Sequence, residues 1–112
     1  ELRSVRFVGK GNGLELHSGE LAKVVVEVYN NTPEYMYNVK PMVMETSGNK
    51  HVFVSAPIIV EKIAPGKGIR YTAMVKADKK LKDGKVHFTV CAQESAQLRK
   101  SEIREFDVTT IR

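Results

Sequence analysis

Three stretches of this chain alternate apolar and mixed side chains with a period of two, and nothing else in it restricts the fold as much. In AKVVVEVYN, residues 22–30, Val24, Val26 and Val28 share one side of an extended chain, while Lys23, Val25, Glu27 and Tyr29 share the other. In GIRYTAMVKAD, residues 68–78, Ile69, Tyr71, Ala73 and Val75 alternate with Arg70, Thr72, Met74 and Lys76. In GKVHFTVCAQE, residues 84–94, Val86, Phe88, Val90 and Ala92 alternate with Lys85, His87, Thr89 and Cys91. Successive side chains of a β-strand point to opposite faces, whereas a helix would repeat every 3.6 residues. One apolar and one mixed face is the pattern of an antiparallel strand buried on one side.

Turn residues punctuate these runs: Gly9 to Gly13, Ser18-Gly19, Asn30 to Pro33, Ser47-Gly48-Asn49, Pro65-Gly66 and Asp83-Gly84. Glycine supplies positive φ, proline presets φ, and asparagine bonds to its own backbone, which is what chain reversals need. The runs at 2–8, 14–17, 21–30, 36–46, 51–55, 58–63, 68–78, 84–94 and 102–111 therefore read as about seven or eight strands. ESAQLRKSEIRE, residues 94–105, has too few apolar positions for an amphipathic helix and reads as a long hairpin connection with at most one helical turn. Pro41, inside YNVKPMVMET, cannot donate to a ladder and suits an edge strand or a bulge. The expected fold is all-β: an immunoglobulin-like two-sheet antiparallel sandwich with Greek-key connections. The Cys–Trp–Cys pattern of antibody domains is missing, since the chain has no Trp and one Cys.

At 112 residues the chain, residues 1–112, is one domain's worth and long enough to bury a core of its own. It starts at Glu1 without an initiator Met or a signal-peptide pattern, which suggests a segment of a larger multidomain protein. No apolar run approaches the ~20 residues of a transmembrane helix. The net charge of +5 suits an anionic partner without choosing one. KADKKLKDGK, residues 76–85, is the densest basic stretch, with five Lys and two Asp. A lysine-rich solvated turn that deters edge-to-edge aggregation accounts for it. Aromatic side chains for stacking bases are not interleaved with it, so no specific nucleic-acid partner is expected.

GNGLELHSGELAKVVVEVYNN, then IAPGKGIRYTAMVKA, DGKVHFTVCAQES and EFDVTTI, together resemble bacterial CARDB-like and NEW3-like domains. The match to the opening turn of such domains rests on Asn12, Gly13, Leu16, Gly19 and Glu20, the strand end on Asn30 or Asn31, and the later turn on Pro65 and Gly66. The resemblance implies an immunoglobulin-type sandwich serving as a repeat or accessory module of large envelope or secreted proteins. In aspartate-rich relatives the opening turn looks able to hold Ca²⁺. Here His17 stands where an acid is expected, Lys10 lies inside the glycine cluster, and only Glu15 and Glu20 remain. Six to eight oxygens cannot be gathered from these, so no calcium site is expected.

Candidate chemistry is sparse. GKGNG, residues 9–13, lacks the helix that a phosphate-cradling loop needs after it. His87 and Cys91 share a strand face but stand ~13 Å apart at ~3.3 Å per residue, beyond any proton transfer between them. His17, His51 and His87 fall on three separate elements without ligand spacing, so no metal is expected. Glu94 and Glu102 are scattered carboxylates. Asn30-Asn31-Thr32 matches a glycan acceptor, but Pro33 follows directly, and the stretch reads as the corner between two strands. The chain is thus expected to be no enzyme, with no cofactor, catalytic residue or metal.

The partner-binding candidates are Tyr35, Met36 and Tyr37, large side chains at a loop-to-strand junction, and Lys79 and Lys80 in the basic turn. The expected function is a spacer or accessory module of the bacterial cell envelope, periplasmic or extracellular. It would contact neighbouring domains or proteins, a glycan or an anionic surface. One alternative is a carbohydrate-binding accessory domain, with Tyr29, Tyr35, Tyr37 and Phe53 as its supply of rings. Another is a chaperone-like domain that binds by strand addition.

Overall fold

The computed structural model describes residues 1–11, 13–94 and 99–112. Among them the chain forms strands and no helix. The strands are β1 (Leu2–Val8), β2 (Glu15–His17), β3 (Leu21–Tyr29), β4 (Met36–Glu45), β5 (Val52–Val54), β6 (Val60–Ile63), β7 (Gly68–Ala77), β8 (Gly84–Glu94), β9 (Arg99–Lys100) and β10 (Arg104–Ile111). The long period-two runs are strands with bounds within a residue or two of those expected. Asn12 of the opening turn and residues 95–98 of the hairpin connection lie outside the described residues.

Two sheets result. The first has the order β1-β3-β7-β5, and the second β2-β10-β8-β4-β6, with β9 also on β8. All pairs are antiparallel except β2 with β10. The two form an immunoglobulin-like sandwich. At each side the chain itself changes sheet: residues 2–17 pass from β1 in the first sheet to β2 in the second, and residues 52–63 from β5 to β6. Backbone bonds hold the second crossover. Ser55 N–H donates to Met74 O at 2.9 Å, and Met74 N–H donates to Ser55 Oγ at 2.9 Å.

β4 corrects one expectation. It is not an edge throughout: Met36, Tyr37 and Val39 pair with β6 and residues 39–45 with β8, so the strand is flanked on both sides where the two ladders overlap at Val39 and is an edge beyond it. Pro41 marks the change. Its cross-strand partner Ala92 donates its N–H to Ser101 Oγ and accepts from Ser101 N–H, both at 2.8 Å, on the far side of β8. The ring nitrogen of Pro41 therefore faces away from β8, where β6 has already ended, and the ladder loses no hydrogen bond.

The inner faces supply the core: Val24, Val26, Val28, Tyr71, Ala73 and Val75 from the first sheet, and Val39, Val86, Phe88, Val90 and Val108 from the second. Val26, Val28, Ile69, Tyr71, Val75, Val86, Phe88 and Val90 are the core that the alternation implies; of these only Ile69 is half-buried, and it still packs against the rest. Phe88 is fully buried at the centre, with ring centroids 6.4 Å from Phe7 and 5.4 Å from Phe106. Phe88→Ala should cost ~3–5 kcal/mol in a urea unfolding curve. A loss below ~1 kcal/mol would place that ring outside the centre of the core.

Candidate functional site

The long strands run between the two ends of a body measuring 47 × 24 × 18 Å, so most connections fall near one of two poles, while the β1–β2 and β5–β6 crossovers lie along the sides. The first pole gathers Glu1, residues 30–35, residues 64–67, Glu94 and residues 99–103. The second gathers residues 18–20, 46–51, 78–83 and Arg112. The register fixes this, since Leu2 pairs with Val28 and Tyr29 with Gly68, while Leu21 pairs with Lys76 and Thr110 with Gly84.

At the first pole Asn30 is fully buried and bonded through every polar atom. Its amide Nδ2 donates to Glu34 O at 2.7 Å and Ile63 O at 2.9 Å, and its Oδ1 accepts from Thr32 N–H at 3.0 Å and Thr32 Oγ1 at 2.6 Å. Its backbone bonds Lys67 and Gly66 across the neighbouring turn. That turn is closed by Lys67 N–H on Ala64 O at 3.1 Å, with Gly66 at φ 72, a value that Pro65-Gly66 supplies and a side chain would strain. With both amide hydrogens donated inside the fold, the Asn30 nitrogen is not presented for glycan transfer. The corner that the sequence pattern implied is a hydrogen-bonded hub.

This hub sets the start of β4. Asn38 has φ 53, a left-handed value that asparagine tolerates, and Tyr37 N–H bonds the buried Glu94 Oε2 at 3.0 Å. The kink leaves Tyr35 and Tyr37 outside, 47% and 46% exposed, with ring centroids 6.2 Å apart and planes 22° apart. Lys62 Nζ lies 5.8 Å from the Tyr35 centroid. Met36, between the two rings, turns inward against the core. The remaining rings lie elsewhere: Tyr29 carries the Arg3 guanidinium 3.5 Å from its centroid, and Phe53 projects from β5 in the other sheet.

Lys79 and Lys80 sit at the second pole, far from the tyrosines, so the two expected contact clusters are separate surfaces. Together with Lys82, His51 and Arg112 they line a shallow basic depression. That His51 and the distant Arg112 join the lysines is not legible from residue spacing, because only the strand topology brings them there.

The other singled-out groups hold the fold together. Glu20 is buried and accepts from Lys10 N–H at 2.6 Å and His17 N–H at 2.8 Å. Gly9 passes so close that a Cβ there would lie 2.8 Å from Glu20 Oε2. Glu102 accepts from Leu2 N–H at 3.1 Å, and this bond holds its carboxyl below the usual range. Cys91 is buried, and desolvation pushes its thiol up, away from the reactive thiolate. Among the described residues, no three His, Cys, Asp or Glu side chains converge on a possible metal position, and no helix is long and apolar enough to cross a membrane. Comparison with protein-family models and with curated proteins gives no match.

His87 is the one histidine held by two carboxylates, with Nδ1 2.7 Å from Asp107 Oδ1 and Nε2 3.0 Å from Glu105 Oε1. The bond to Asp107, then that to Glu105, raises its pKa from 6.5. A raised folded value stabilises the fold fully below the unfolded value, and that contribution disappears as pH climbs through the folded value. At low salt the thermal midpoint should therefore fall between about pH 6 and about pH 8, and His87→Gln should shrink that fall. An unchanged pH profile in the variant would mean that the two carboxylates do not hold the imidazolium.

Proposed function

We propose that this chain is a non-catalytic immunoglobulin-like module of the CARDB-like or NEW3-like kind, working as a spacer and contact element in a larger bacterial envelope or secreted protein. The observation that carries the reading is the exposed, mutually stacked Tyr35–Tyr37 pair, set on a kinked but firmly bonded strand start. Large amphipathic rings on a rigid base at one end of a sandwich are the usual anchors of protein contact. The buried polar side chains Glu20, Asn30 and Thr110 each bond backbone and so serve the fold. A glycan platform would call for a flat row of rings, whereas Tyr29 and Phe53 belong to the other sheet from Tyr37.

The test is photo-crosslinking in the full-length protein. A photoreactive residue in place of Tyr35 should join peptides of an adjacent domain or a partner protein, and one in place of Thr72, on the outer face of β7, should not. Tyr35→Ala with Tyr37→Ala should lower the yield from a probe placed at Glu34 more than Lys79→Ala with Lys80→Ala does. A larger effect of the lysine pair, or equal crosslinking from Thr72, would overturn the reading.

A further inference from the structure

The basic depression at the second pole is built from three separate parts of the chain. His51 comes from the β4–β5 connection, Lys79, Lys80 and Lys82 from the β7–β8 connection, and Arg112 from the end of β10. No carboxylate lines it. The acids in the connection instead hold its shape: Asp78 Oδ1 accepts from Lys80 N–H at 2.8 Å, Asp78 Oδ2 pairs with His51 Nδ1 at 2.9 Å, and Asp83 Oδ1 accepts from Arg112 N–H at 2.8 Å. Leu81, between the lysines, is buried in the core, and Thr110 Oγ1 donates to Lys82 O at 2.7 Å.

A merely solvated lysine turn would need none of these anchors. The loop is pinned from below by an apolar side chain and from the sides by four hydrogen bonds, so its ammonium groups are presented together from a backbone already ordered. Preorganisation of this kind lowers the cost of ordering on binding. From this we infer that the depression is a binding site for an acidic polysaccharide, a flexible polymer with spaced sulfate or carboxylate groups.

The chemistry of the lining favours that ligand over other anions. Lysines dominate, and an ammonium is a compact point charge without the planar fork that arginine offers a single phosphate. The opening is shallow and broad, suited to a polymer lying across it. No aromatic side chain lines it, so unpaired bases would find nothing to stack on. The site is independent of the tyrosine pair at the opposite pole, and either can fail without the other.

The test is calorimetric titration with heparin and with polygalacturonate, beside a single-stranded DNA oligonucleotide of matched charge. Saturable binding of at least one polysaccharide, tighter than that of the DNA, is expected. The affinity should fall as salt rises from about 0.01 M to about 0.15 M, where the Debye length shrinks from ~30 to ~8 Å. Lys79→Ala with Lys80→Ala should weaken binding about tenfold, and Arg112→Ala, which leaves its backbone bond to Asp83 intact, should weaken it less. Lys62→Ala with Lys67→Ala removes the same charge from the first pole and should change the affinity less than twofold. An equal loss from that control pair would reduce the effect to net charge and overturn the site. So would tighter binding of DNA, or no binding of either polysaccharide, by variants and wild type that circular dichroism shows to be equally folded.

Discussion

A sandwich must take its chain from one sheet to the other, and at each crossing the backbone leaves the ladder while still close to the core. The Asn30 hub shows how this chain manages the problem. Between β3 in the first sheet and β4 in the second, one buried side chain bonds the carbonyls of Glu34 and Ile63 and the N–H of Thr32. An unpaired backbone group in such a place costs about 1–3 kcal/mol, so the crossing depends on a side chain with both donor and acceptor atoms. Glu20 does the same where β2 hands over to β3, and Thr110 where β7 hands over to β8. Glu94 serves the kink in β4. Buried polarity in this protein marks the corners of the fold.

With its corners bonded in this way, the fold needs no covalent clamp. The single cysteine cannot form an intrachain disulfide, and the tryptophan that packs on it in antibody domains is missing. Interdigitated valines take their place, with Phe88 between Phe7 and Phe106 filling the widest part of the space between the sheets. The sides are closed by the chain switching sheets, which shortens the edge strands to three or four residues at β2, β5 and β6. Short edges are one way in which a sandwich avoids pairing with its own copies.

What could be read from the sequence follows from which interactions are periodic. Alternation located β3, β7 and β8 and their inner faces, because every second side chain must enter the same core. Turn residues located the reversals, since Pro65-Gly66 permits few backbone geometries. Ladder neighbours are a property of topology, so Pro41 could be assigned to an edge or a bulge but not to the point where β6 stops. The sites divide in the same way. The tyrosines and lysines are conspicuous by type, whereas the convergence of His51 and Arg112 on Lys79 depends on strands far apart in sequence lying side by side. Glu94 and Glu102 looked like scattered acids, and only their bonds from the backbone N–H groups of Tyr37 and Leu2 distinguish them.

The same logic explains why the two proposed contact surfaces lie at the poles. The inner faces are filled by the core, and the outer face of the second sheet is crossed by bonded pairs such as His87 with Asp107 and Glu105. Connections escape both demands. Their backbones are ordered by corner side chains, which leaves side chains such as Tyr35 and Lys79 outside the core. The Tyr35–Tyr37 pair stands at one end and the Lys79, Lys80 and Lys82 cluster at the other of a body 47 Å long. A module so divided can meet a protein surface at one pole while the other remains a charged face in solvent. Neither contact needs the fold to move, because the strands between the poles are held by the same ladder from end to end.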